Sequence, residues 1–192
     1  MKSNRKFGVS FIVAVVTAFG LALAAPAYAV NLVVNPSFET GNFTGWTQVG
    51  NTGFSGVECP GPAFVAQGSC DAFFGPVGST GGISQSIALH VGSQYLLTFA
   101  FRPDGGTPSS FSVSLGGVTL FSVTNPAASA YRNFSFAVLA TAANETLTFS
   151  FRDDPGFLFL DNVSLSIPEP ASVGLLGIAL VAMFMGLRRK AQ

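Results

Sequence analysis

Between residues 95 and 165 apolar and polar side chains alternate with a period of two. Tyr95, Leu97, Phe99 and Phe101 alternate with Leu96, Thr98, Ala100 and Arg102, and Phe111, Val113 and Leu115 alternate with Ser110, Ser112 and Ser114. The same rhythm returns at Phe134, Phe136 and Val138, at Leu147, Phe149 and Phe151, and at Phe159, Asp161, Val163 and Leu165. Successive side chains of a strand point to opposite faces, so each run predicts an antiparallel strand with one buried face. The last run predicts Asp161 on the inward face, among apolar neighbours. Pro103-Asp104-Gly105-Gly106, Gly116-Gly117 and Asp153-Asp154-Pro155-Gly156 separate the runs and are turn formers, the glycine pair as a tight hairpin joining Leu115 to Val118. No amphipathic helix competes with them. The expected architecture is all-β, an antiparallel β-sandwich or jelly roll, with most of the 20 phenylalanines in its core.

Both ends depart from this rhythm. Lys2, Arg5 and Lys6 precede the apolar stretch from Phe7 to Ala25, and Ala27-Tyr28-Ala29 places small residues at the positions a signal peptidase inspects, so residues 1–29 read as a signal helix removed on export. At the other end, Ala171 to Leu187 is apolar and uncharged and stops at Arg188-Arg189-Lys190. A helix over 171–187 is roughly 25 Å long, a marginal transmembrane span, and the basic stop places the preceding chain outside the inner membrane. Residues 30–167 are left as one exported domain.

Removing the ends changes the charge balance. Six of the nine basic residues belong to the two terminal clusters, and between those clusters three arginines, Arg102, Arg132 and Arg152, stand against nine acidic residues, a formal charge of −6. Phosphate contacts need clustered Lys and Arg, so nucleic acids and other acidic polymers are poor partners.

Pro168-Glu169-Pro170, the short apolar span and the basic terminus together resemble the PEP-CTERM domain of Gram-negative bacteria, over about the last 25 residues. The resemblance implies an exosortase-type membrane protease as processing partner and delivery to the cell surface or extracellular matrix, in company with exopolysaccharide and biofilm. Glu169 between two prolines reads as extended, protease-accessible backbone. A membrane anchor that is never cleaved is the alternative.

Asn35-Pro36-Ser37-Phe38-Glu39-Thr40-Gly41 with Gly45-Trp46, then Gly82-Ile83-Ser84-Gln85-Ser86-Ile87, and finally Leu160-Asp161-Asn162-Val163-Ser164-Leu165 resemble the galactose-binding-like jelly rolls, a group that includes many carbohydrate-binding modules. That resemblance implies that the first and last strands lie together with a structural calcium between them, held by Glu39 and Asp161. The alternative for Asp161 is that it caps backbone N–H groups or pairs with an arginine. In the same pattern Trp46 packs as core; for a bound glycan the aromatic candidates are Trp46, Tyr95 and Tyr131, with Gln48 and Gln85 as hydrogen-bonding partners, because sugar rings take an aromatic face and planar polar groups.

Cys59 and Cys70, eleven positions apart in the irregular Gly- and Pro-rich stretch between Thr52 and Thr80, are expected to form one disulfide in an oxidising compartment. Catalysis finds little support: His90 is the sole histidine and falls at a turn, and neither a nucleophile elbow nor a phosphate loop nor a pair of metal-binding histidines is present. The sequence therefore reads as a non-enzymatic exported surface or matrix protein that contacts exopolysaccharide, with a specific lectin or a glycan-processing enzyme as the alternative.

Overall fold

The computed structural model describes residues 30–168. The expected signal segment 1–29, Glu169, Pro170, the apolar span 171–187 and the stop at Arg188, Arg189 and Lys190 lie outside the described residues, and no helix among those described is long and apolar enough to cross a membrane. Among the described residues there are ten strands: β1 (Thr47–Gly50), β2 (Ser55–Glu58), β3 (Asp71–Phe74), β4 (Gly81–Ala88), β5 (Gln94–Pro103), β6 (Ser109–Leu115), β7 (Val118–Thr124), β8 (Arg132–Leu139), β9 (Asn144–Asp153) and β10 (Leu158–Ser166). They form two five-stranded sheets, one in the order β1-β4-β9-β6-β7 and the other β2-β3-β10-β5-β8. Every pairing is antiparallel.

The all-β sandwich expected from the alternation is what forms. Phe99 and Phe101 of β5 meet Phe149 of β9 and Phe111 of β6 across the interior, at ring distances of 5.4 and 4.1 Å, and Phe74 of β3 stacks on Phe151 of β9 at 3.9 Å. Aromatic rings fill the space between two sheets at low side-chain entropy, which is why a body so rich in phenylalanine closes as a sandwich. Gly116 and Gly117 take φ values of +57° and +82° in the β6–β7 hairpin, the double left-handed turn that two-residue loops require, and Leu115 pairs with Val118 as the glycine pair predicts.

Two features differ from the alternation. The stretch between Thr52 and Thr80, read as an irregular loop, contains β2 and β3; these strands are only four residues long, too short to show a period. The second difference is in β10, where register against β5 shifts between Asp161 and Ser164 and Asn162 adopts φ +50°. This bulge reverses the phase of the strand. Leu158, Leu160, Val163 and Leu165 point inward and are fully buried, whereas Phe159 and Asp161 stand on the outer face, opposite Arg102 and Ala100. Asp161 is therefore not on the inward face its neighbours suggested, because one extra residue in a strand exchanges the two faces beyond it.

Beyond the bulge the free edge of β10 is covered by the N-terminal segment. Leu32 N–H donates to Leu165 O, Val163 N–H to Pro36 O, and the Asn31 side chain bonds both Val163 O and Leu165 N–H. The first and last segments of the domain thus lie side by side, as the jelly-roll resemblance implied.

Asparagine tolerates the left-handed region and a β-branched residue does not. Asn162→Val is expected to cost about 1–2 kcal/mol in chemical denaturation, whereas Asn162→Gly is tolerated; equal stability of the valine variant and the parent would show that the bulge is not required.

Candidate functional site

The two outer faces are chemically unlike. On the sheet containing β1, β4, β9, β6 and β7, the outward positions Ser84, Ser86, Thr148, Ser150, Ser110 and Ser112 carry small hydroxyls. On the other sheet, cross-strand register sets Gly56, Phe73, Phe159 and Arg102 in one row over β2, β3, β10 and β5. Phe73 lies flat over Gly56, where a Cβ would meet its ring at 2.7 Å, so the glycine is what lets the ring lie down. Phe157 packs edge-on to Phe73 at 5.5 Å and lies 6.4 Å from Phe159. The Arg102 guanidinium sits 3.6 Å from the Phe159 ring centre and 5.2 Å from that of Tyr131, so the row continues to the start of β8. Four strands spaced about 4.8 Å apart give this row a length of roughly 14 Å, suited to an oligosaccharide.

Beside the row, on the same face, lies a polar cluster. Asp71 of β3 is fully buried, accepts a hydrogen bond from the Tyr131 hydroxyl on Oδ2, and has Arg102 at 3.7 Å from the same oxygen. Burial holds the Asp71 carboxyl above the usual carboxylate range and Glu58 adds to the rise, while the Tyr131 hydroxyl and Arg102 pull it down. Burial and the adjacent Asp71 push the Tyr131 phenol up, so that hydroxyl stays protonated and serves as a donor. Asp71 Oδ1 and Arg102 Nε are enclosed without protein partners, while the Arg102 side chain as a whole is 30 % exposed. A guanidinium gripped on one side by an aromatic face and on the other by a buried carboxylate is held rigidly, with its remaining N–H groups oriented. Beside half-exposed phenyl faces, it offers stacking surface together with directed hydrogen bonds.

The loop between β2 and β3 borders this face. Cys59 and Cys70 are joined by a disulfide at its base, and Phe64 is exposed on the loop. Asp161 pins the loop: Oδ2 accepts from the N–H groups of Ala66 at 2.8 Å and Gln67 at 2.7 Å, and Oδ1 from Asn162 at 2.6 Å. Burial pushes the Asp161 carboxyl up to about 6, the three N–H donors pull the other way, and Asp71 adds to the rise. Glu39 repeats the arrangement, its Oε1 accepting from Ser69 and Cys70 at 2.8 and 2.9 Å. These donors decide how a calcium ion would fit between Glu39 and Asp161. Three of the four carboxylate oxygens already accept from N–H groups, five donors in all, so neither carboxylate is left without a partner for a cation to supply. The residues present fit a loop clamp and do not fit that ion.

Of the aromatic candidates read from the sequence, Tyr131 alone reaches this face. Trp46 is buried against Phe38 and Phe149 with its indole N–H donating to Asn35 O, and Tyr95 is 1 % exposed with its hydroxyl accepting from His90 N–H. Neither has a ring face free for a sugar. Gln85 is buried and spent on Val34 and Gly45, Gln48 lies on the edge strand β1, and His90 is exposed at its turn. Phe73, Phe159, Arg102 and Asp71 were not singled out by sequence. The available signal was Asp161-Asn162, the only polar pair inside an otherwise alternating last run, which marks the bulge that turns Phe159 outward.

Residues 166–190 match the PEP-CTERM protein-sorting motif, a tail that marks the chain as an exported protein sorted by exosortase. No curated protein sequence matches the chain. Among solved structures, the body is similar to TmCBM61, determined in complex with β-1,4-galactotriose, at 23 % identity over 71 % of this chain and 97 % of that one with a TM-score of 0.58. It is similar to a xylan-binding domain from CBM22 at 15 % identity over 73 % of this chain and 97 % of that one, TM-score 0.52, and to the K3 cleaved adhesin domain of Lys-gingipain from Porphyromonas gingivalis at 12 % over 73 % and 99 %, TM-score 0.54. At these identities the likeness establishes the fold, a jelly roll of the carbohydrate-binding-module type.

Removing the clamp isolates its contribution. Asp161→Ala leaves the Ala66 and Gln67 amides without acceptors, so hydrogen exchange at both is expected to accelerate at a stability cost of about 2 kcal/mol; unchanged protection would show that the loop is held elsewhere. The pH dependence has a definite sign. The Asp161 carboxyl titrates near 6 in the folded protein and near 4 in the unfolded chain, so the folded state binds the extra proton between those values. Its contribution to the unfolding midpoint in EDTA falls as pH rises through that window and levels off above it, and the slope is shallower in Asp161→Ala.

Proposed function

We propose that this protein is a non-enzymatic, exported carbohydrate-binding protein whose ligand is a neutral polysaccharide chain laid along the Phe73–Phe159–Arg102–Tyr131 row. The single observation that carries the reading is that row: the partly exposed phenyl rings of Phe73 and Phe157 beside the Arg102 guanidinium, which lies 3.6 Å over Phe159 and is backed by the buried Asp71. Sugar rings present apolar C–H faces and equatorial hydroxyls, which this combination of stacking surface and oriented donors complements. The acidic balance of the body disfavours an anionic polymer.

Binding is favoured over glycoside hydrolysis because the two carboxylates near the row are both committed. Asp71 holds Tyr131 and Arg102, and Asp161 holds three backbone N–H groups. A hydrolase needs one carboxyl free to give a proton and a second free to attack or activate water. The sorting tail supports a place at the cell surface or in the extracellular matrix, where the polysaccharide at hand is the cell's own exopolysaccharide. Exosortase cleavage near Pro168-Glu169-Pro170 then releases the domain from a membrane-held precursor.

Affinity electrophoresis of the full-length protein in detergent against neutral polysaccharides tests this reading. Retardation is expected on at least one β-linked polymer, with Phe159→Ala and Arg102→Ala each weakening it about ten-fold or more, while Trp46→Phe leaves it unchanged. Absence of retardation on every polymer, or binding indifferent to both substitutions, would overturn the assignment of this face.

A further inference from the structure

At the C-terminal end of β9 a second carboxylate cluster lies outside the proposed glycan row. Asp153, the last residue of β9, is fully buried, and neither of its carboxylate oxygens has a hydrogen-bond donor. Asp104, in the β5–β6 turn, stands beside it with its own side chain exposed, and Asp154 follows in the β9–β10 turn. Arg152 in the same strand is already used, binding Asp154 through Nε and a terminal nitrogen at 2.9 and 2.7 Å, and among the described residues no salt bridge reaches Asp153 or Asp104. Two negative charges, one wholly desolvated, are thus left without a counter-charge, an arrangement that is costly unless a cation compensates it.

The neighbouring backbone gathers further oxygens around Asp153, packed against two glycines. On the side of Gly106 where any other residue would carry a Cβ, three oxygens converge. That position lies 2.5 Å from Asp153 Oδ1, 2.6 Å from the Pro155 carbonyl and 3.2 Å from Asp104 Oδ1. Gly156 likewise has the Asp104 carboxylate where its Cβ would be, at 2.5 and 2.8 Å from the two oxygens. Asp104 is anchored in place by accepting from Gly106 N–H at 2.8 Å and Phe157 N–H at 2.6 Å. Unlike Asp161, whose oxygens all receive donors, Asp153 faces only acceptors.

We propose that Asp153, Asp104 and the Pro155 carbonyl form a calcium site that ties the end of β9 to the β5–β6 turn. Calcium takes hard oxygen ligands in a flexible set, mixing carboxylates, carbonyls and water, so two carboxylates and one carbonyl supply protein ligands and the exposed side of Asp104 admits water for the rest. Magnesium demands a tighter octahedron and is the poorer fit. Burial and the neighbouring Asp104 push the Asp153 carboxyl up to about 6 in the absence of metal, so a proton shared between the two acids is the competing way to relieve the same repulsion.

The test uses the full-length chain in detergent micelles, stripped with EDTA at pH 7.5 and titrated with calcium chloride by calorimetry, with thermal unfolding in parallel. One ion is expected per chain, and calcium at a hundred-fold excess over Kd raises the unfolding midpoint by roughly 5–10 °C. Asp153→Asn abolishes that shift, and Asp104→Asn, with circular dichroism checking that the sheet content is kept, weakens calcium binding at least ten-fold. Glu39→Gln keeps the full response. A parent protein with no calcium-dependent shift, whose stability instead rises on acidification and is matched by Asp153→Asn, would overturn the proposal in favour of the shared proton. A shift that survives Asp104→Asn, or is lost in Glu39→Gln, would overturn it by placing the ion elsewhere.

Discussion

One residue in left-handed backbone decides what this domain presents to its surroundings. Asn162 inserts a bulge into β10, and with it Phe159 and Asp161 stand on the outer face while the flanking leucines and valine remain in the core. Had the alternation run uninterrupted, an aspartate would lie among the interior phenylalanines at a cost no interior partner relieves. The bulge removes that conflict and at the same moment supplies the face with its central ring and the loop with its anchor.

From that point the outer face assembles through pairings distant in sequence. Phe159 sits between Phe73 and Arg102 because β10 lies between β3 and β5. Arg102 is drawn over Phe159 by the ring's electron-rich face and towards Asp71 by charge, and Tyr131 closes the group by donating to that same carboxylate. Two residues away on β10, Asp161 gathers the amides of the disulfide-closed loop, so the loop and the aromatic row are referenced to one strand. Rigid placement of both favours a pre-formed binding surface, whose ordering cost has been met in folding.

The two carboxylate systems illustrate opposite solutions to burying negative charge. Asp161 and Glu39 are met by backbone N–H groups, dipoles that the chain supplies by shaping a loop. Asp153 is instead left without any donor and faces further oxygens, while its neighbour Asp104 is held by the Gly106 and Phe157 N–H groups, which passes the task of neutralising Asp153 to something outside the chain. Residue type alone does not separate these cases, since an aspartate near a turn reads the same in both; the direction in which neighbouring peptide groups point is what distinguishes them.

Much of the architecture was legible without coordinates. Period-two alternation at 95–101, 111–115, 134–138 and 147–151 marked β5, β6, β8 and β9, the glycine pair marked the β6–β7 hairpin, and the C-terminal segment read as a sorting signal, because each depends on residues near one another along the chain. The pairing of Cys59 with Cys70 was equally local. The short strands β2 and β3, the outward turn of Phe159 and the meeting of Asp71, Arg102 and Tyr131 were decided only by the tertiary structure. Which face a strand shows depends on its register against its neighbours, and a one-residue slip exchanges every side chain between interior and solvent; periodicity along one strand states that two faces exist, and only the packed sheets settle which residues share them.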